Sequence, residues 1–181
     1  MQSVKKRKRV QSAFEWMDAL VSAVIIVVLL FTFLFRTIGV EGTSMVPTLA
    51  NGDRLIVSHL FYRPTPGDVV VIVQPESDTP AIIKRIIAVE GQTVDINFSF
   101  GTVTVDGQVL EEDYINEPTY MKRDVDFPVT VPQGCVFVMG DNRNNSHDSR
   151  YWNNHFVKKE KILAKAIVRW FPVTKIEWLA Q

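Results

Sequence analysis

The stretch from Ala19 to Phe35 limits most tightly what this chain can be: about 17 residues carry no charge and are nearly all Ala, Val, Ile, Leu or Phe. That length is at the lower end of what crosses hydrocarbon as a helix, and Trp16 and Met17 extend it at the interface. The β-branched run Val24 to Val28 favours a strand in water. In lipid a lone strand leaves its backbone N–H and C=O groups unpaired, so the span is expected as a helix. Five basic residues, Lys5 to Arg9, precede it and Arg36 alone follows directly, which predicts a cytoplasmic N-terminus. A cleaved leader also has a basic start and an apolar stretch, but it ends in small residues, whereas Phe33, Leu34, Phe35 and Arg36 are bulky. The expected layout is a basic tail over 1–15, a membrane anchor over 16–36 and an extracytoplasmic domain over 37–181.

Beyond Ile38 short β-rich runs alternate with Gly, Pro, Asn and Asp, the texture of an all-β domain. Strands are expected at Arg54 to Ser58, Asp68 to Val73, Ala81 to Val89, Thr93 to Ile96, Thr102 to Val105, Gln108 to Leu110, Cys135 to Met139 and Ala164 to Phe171. Asp106-Gly107 signals a two-residue hairpin. Turns are expected at Pro64 to Gly67 and Glu76 to Pro80, and a short helical turn at Lys158 to Ile162. The fold class is therefore mainly β, an antiparallel sheet or barrel-like domain behind one N-terminal transmembrane helix. Lys+Arg and Asp+Glu both total 20, so no basic field points to nucleic acid. The single cysteine, Cys135, cannot form an internal disulfide and is expected as a small buried residue.

Three clusters carry chemistry. Gly42-Thr43-Ser44-Met45-Val46-Pro47-Thr48-Leu49 holds a serine between a permissive glycine and a stiffening proline, which suits a presented nucleophile and equally an ordinary turn. A serine hydroxyl needs a base. His59, His147 and His155 are available, and His147 beside Asp148 suggests a triad, but neighbours in sequence tend to point apart. Lys84 stands in the apolar run Ala81 to Val89. On a strand, Lys84 and Arg85 face opposite sides, so either one of them is buried or the strand is an edge with two solvated cations. Burial disfavours an ammonium and can bring a lysine into the range of a working base. The third cluster, Gly140 to Arg150, is dense in short polar groups and reads as a self-bonded loop or as a supporting shell for a lysine.

In this order, behind an apolar N-terminal segment, these clusters closely resemble the type I signal peptidases of bacteria over nearly the whole chain. Gly42 to Leu49 is similar to that family's serine box, Gly67 to Val71 to a strand box, Lys84 to Gly91 to its lysine box and Gly140 to Arg150 to its last box. The resemblance implies a Ser44 nucleophile, a neutral Lys84 general base, an acyl-enzyme, and no metal or cofactor. It also implies that Ser146 bonds the lysine, that Asp148 and Arg150 form a supporting ion pair, and that the Ser44 backbone N–H stabilises the oxyanion. Some members carry a second oxyanion hydroxyl where this chain has Gly42, so Thr43 or water is the expected substitute. Ile38, Val40, Met45, Leu49 and Ile83 are implied as walls of shallow substrate pockets. The implied partners are secreted preproteins with small residues first and third before the cut, membrane lipid and export machinery. Two other readings are a self-cleaving Ser/Lys repressor domain, which would carry a DNA-binding region instead of the apolar run, and a membrane-tethered β-domain that binds peptide without chemistry.

Overall fold

Runs of β-branched residues broken by glycine and proline dictate an extended backbone, and pairing then decides which runs persist. The computed structural model describes residues 14–29, 35–73 and 81–179. The basic run Lys5 to Arg9, the apolar residues 30–34 and the expected turn at Glu76 to Pro80 lie outside the described residues. The chain divides into two compact units, Met1–Arg36 and Thr37–Gln181. In the first, residues 14–29 form a helix whose apolar side chains, Trp16, Leu20 and Ile25 among them, are exposed. Among the described residues no helix is long and apolar enough to cross a membrane, so the expected span is not found as a whole.

The second unit is built from two antiparallel sheets. Its strands are β1 (Arg36–Gly39), β2 (Arg54–Ser58), β3 (Val69–Ile72), β4 (Ile82–Val89), β5 (Thr93–Asn97), β6 (Thr102–Val105), β7 (Gln108–Val109), β8 (Val129–Thr130), β9 (Cys135–Met139), β10 (Val157–Lys158), β11 (Ile162–Phe171) and β12 (Glu177–Trp178). The larger sheet runs β1-β2-β11-β3-β4-β9-β10, with β12 added to β11, and the smaller runs β7-β6-β5-β8. The larger sheet ends in β1 and β10, so it stays open rather than closing into a barrel. The expected helical turn is a 3-10 turn at Lys159–Lys161 between β10 and β11. Asp106-Gly107 does form the hairpin, with Val105 opposite Gln108.

One core cluster, including Ile87, Val94, Val103 and Phe137, draws side chains from both sheets. Phe98, Phe127, Phe137 and Phe156 extend it as successive edge-to-face pairs 5.9, 6.1 and 6.3 Å apart, a geometry the aromatic quadrupole favours. Cys135 is only half-buried, because it opens β9 where the strand leaves this cluster. A second cluster joins Val40, Met45 and Leu49 to strand residues Leu55, Val69 and Ala166, and so lies directly under the serine-bearing loop.

Candidate active site

The position of the loop holding Ser44 is set by the turn after it. Met45 and Leu49 stand one helical turn apart, Leu49 N–H donates to Met45 O at 2.8 Å, and both side chains are buried. Each such burial is worth about 1.5–3 kcal/mol, which fixes the turn on the core and leaves Ser44 at its outer end. Gly42 adopts φ +86°, a left-handed conformation that side chains resist, and its N–H donates to Asn51 Oδ1 at 3.0 Å. The backbone shape at this position thus accounts for a glycine where a hydroxyl residue could otherwise stand.

Lys84 enters from β4, an internal strand with β3 on one side and β9 on the other. Lys84 and Arg85 are 3% and 4% exposed, so both cations are buried and neither the edge-strand reading nor burial of only one of them holds. Alternation does send them to opposite sides, but each side is covered, one by the serine loop and one by Asp141. The Lys84 amino group donates to Ser44 Oγ at 2.8 Å. Burial lowers its pKa from 10.5 to about 8, and Arg150 pushes the same way, while the charges of Asp148 and Asp141 oppose the fall. About one lysine in ten is then neutral at pH 7, against well under one in a thousand for an exposed one.

The loop Gly140 to Arg150 supports both residues. Asp148 is fully buried; burial alone would raise its carboxyl, but Arg150 outweighs that and holds it below the usual range, with help from the Gly140 N–H and Ser146. Arg150 Nε and Nη2 donate to the two Asp148 oxygens at 2.9 Å each, and Gly140 N–H donates to Oδ2 at 3.0 Å. Ser146 is buried beside Gly140. Its hydroxyl has no partner of good hydrogen-bond geometry among the described residues and does not bond Lys84. It stands close enough to Asp148 to help hold that carboxyl down.

Several residues at the site were not singled out from the sequence. Asn142 N–H donates to Ser44 O at 3.0 Å, Asn142 Nδ2 to Thr43 O at 3.1 Å, and Asn145 Nδ2 to Thr43 Oγ1 at 3.2 Å. Arg85 grips Asp141 through two bonds of 2.8 and 2.7 Å with its guanidinium 3.9 Å from the Tyr114 ring centre, and Thr48 Oγ1 donates to the same carboxylate. Arg169 donates to Thr48 O at 2.6 Å. These residues fasten the serine loop at both ends, and the only sequence signal for Asp141, Asn142 and Asn145 was polar density after β9. The histidines are elsewhere engaged or exposed: His147 Nδ1 accepts from Trp152 Nε1 at 2.9 Å, and none bonds Ser44 among the described residues.

A cleft of about 440 Å³ opens at Ser44 and Lys84, walled by residues 39–42 on one side and 81–84 on the other. Val40, Met45 and Ile83 line it, whereas Ile38 and Leu49 do not; Leu49 is fully buried beneath the loop. Both walls offer unpaired backbone. β1 is an outer strand of its sheet, and β9 pairs with β4 only from Arg85 onward, leaving residues 82–84 free on that edge.

Comparison with known proteins places the chain in a family. The family described as "Signal peptidase, peptidase S26" matches residues 13–171. The chain is 42% identical to "Probable signal peptidase I-1" of Synechocystis sp. over 86% of its own length and 81% of that protein. It is 35% identical to "Signal peptidase I P" of Bacillus subtilis subsp. natto over 95% of this chain and 96% of the other. A solved signal peptidase I from Enterococcus faecalis aligns with a TM-score of 0.48 at 30% identity, covering 57% of this chain and 97% of that one. Matched over residues 13–171, to the last residue of β11, the chain belongs to the signal peptidase family, peptidase S26.

Proposed function

We propose that this chain is a membrane-held serine endopeptidase that removes signal peptides from exported preproteins, with Ser44 as nucleophile and neutral Lys84 as general base. The observation that carries the reading is the 2.8 Å contact between Lys84 Nζ and Ser44 Oγ in a setting dry enough to lower the lysine to about 8. Ser44 Oγ attacks the scissile carbonyl carbon while Lys84 takes the hydroxyl proton. The resulting oxyanion meets the Ser44 N–H, which donates to no backbone acceptor among the described residues. The Thr43 hydroxyl accepts from Asn145 and so retains its own proton to donate as a second partner. The C–N bond then breaks, Lys84 returns its proton to the leaving amine, and water, activated by the same lysine, cleaves the ester. Asp148 and Arg150 act as a charge-balanced support that keeps the loop closed around the lysine.

A substrate extended between two free strand edges gains main-chain bonds on both sides, and small side chains first and third before the cut point towards Val40, Met45 and Ile83. Membrane placement is supported by the uncharged run Ala19 to Phe35 and by the exposed apolar helix over residues 14–29. The N-terminus then lies in the cytoplasm and Ser44, about nine residues past the run, sits near the outer surface where a signal peptide emerges. Protease added outside sealed right-side-out vesicles is expected to digest residues 37–181; digestion only from the cytoplasmic side would reverse the topology.

Because the ammonium must lose its proton, kcat/KM on a preprotein peptide is expected to rise about tenfold per pH unit and level off above about 8. A profile flat from pH 6 to 9 would remove Lys84 as the base. At Gly140 an added Cβ would meet the Ser44 carbonyl oxygen at 2.5 Å and also collide with Ser146 Oγ. Gly140→Ala is therefore expected to cost about tenfold or more in kcat, compared with the wild-type chain in the same peptide assay.

A further inference from the structure

We propose that Glu41 is a specificity-determining residue which reads the charge of the substrate residue second before the cut. The inference rests on the endopeptidase reading above and concerns the same cleft. Among the described residues lining the cleft, Glu41 and Lys84 are the only ionisable ones, and Glu41 is the only carboxylate. On its wall Gly39 and Gly42 present no side chain, and Val40 is 4% exposed, turned into the core with Met45 and Leu49. Glu41, two positions past the end of β1, is exposed and lines the cleft, so along this wall a buried side chain is followed by an exposed one. Its carboxylate forms no ion pair among the described residues, so its charge faces whatever occupies the cleft.

A bound peptide obeys the same alternation. If the first and third residues before the cut point inward towards Val40, Met45 and Ile83, the second points outward, along the rim where Glu41 stands. A lysine or arginine there gains an attractive charge, and an aspartate or glutamate meets a like charge beside developing oxyanion character. The pairing is solvent-exposed, so its size is that of a surface ion pair, about threefold in kcat/KM per unit of charge, and it weakens with salt.

The test uses the purified full-length chain in detergent with three peptides identical except for Lys, Gln or Glu second before the cut. Wild type is expected to prefer them in that order, with about a tenfold spread between Lys and Glu at low ionic strength that shrinks in 0.5 M salt. Glu41→Gln is expected to compress the spread to about twofold and Glu41→Lys to invert the order. Ratios among peptides within one variant at one pH cancel any change in absolute rate or in the lysine's ionisation. A spread that is the same in all three enzymes, or absent from wild type, overturns the role of Glu41 while leaving the endopeptidase reading intact. Failure of wild type to cleave any of the peptides overturns both.

Discussion

Lys84→Met is expected to lower kcat by about three orders of magnitude or more and, at neutral pH, to make the folded chain more stable. The loss of rate is the removal of a general base, a contribution of about 10²- to 10⁴-fold. Ser44→Ala should lose as much, and the double variant little more, because in the proposed mechanism the two residues act as one unit. The stability gain comes from burial. The folded lysine has its pKa lowered from 10.5 to about 8, so below about pH 8 a charged group is held in a dry site at a cost of about 3 kcal/mol. Between about 8 and 10.5 the unfolded chain binds a proton that the folded chain does not, so stability rises with pH across that window and the penalty is gone above it. Methionine has no charge to bury. The variant should therefore exceed wild type by a few kcal/mol at pH 7, less whatever the unpartnered Ser44 hydroxyl costs, and the gap should close by about pH 10.5. Denaturant unfolding of both chains in detergent at pH 7 and 10 measures it; equal stabilities at pH 7 would mean that Lys84 is not desolvated.

Asp148→Ala should be the most damaging single change to folding. It strips Arg150 of its ion pair while both are fully buried, leaving the guanidinium a bond to Arg143 O at 2.6 Å and an Nη1 that already lacks a partner. Removing one member of such a pair costs about 3–5 kcal/mol, a large part of the total stability of an ordinary domain. Asp148→Asn keeps one acceptor oxygen, and so one of the two pairs of N–H bonds from Gly140 and Arg150, while its NH2 meets the other donors; it should lose less than alanine. It also removes a negative charge that raises the Lys84 pKa, so the acid limb of its activity profile should move to lower pH. An unmoved limb would show that Asp148 acts on the loop alone. In wild type the depressed Asp148 pKa contributes stability that is present above the ordinary carboxylate range and lost as pH falls through the folded value.

How far these features could be read beforehand differs by residue. Every expected strand appears, with ends unchanged or moved by at most two residues, because alternation and turn chemistry are local. The strands β1, β8, β10 and β12 carry no clear signal of their own; each has two to four residues and persists by pairing with a longer partner. Arg85 reads from its strand alone as a solvated cation as readily as a buried one, because its partner Asp141 is 56 positions away. Leu49 reads as a pocket wall, although its turn drives it into the core.

The sequence by itself determined the mainly β character of the second unit, the apolar segment before it and the three polar clusters, since each depends on residues adjacent in the chain. Tertiary structure alone decided which clusters meet. Ser44 and Lys84 are 40 positions apart and touch because β4 is internal and the Met45–Leu49 turn is sunk into the core beside it. The same burial decided the ionisation of Lys84, since its pKa falls to about 8 through the desolvation that only packed neighbours provide.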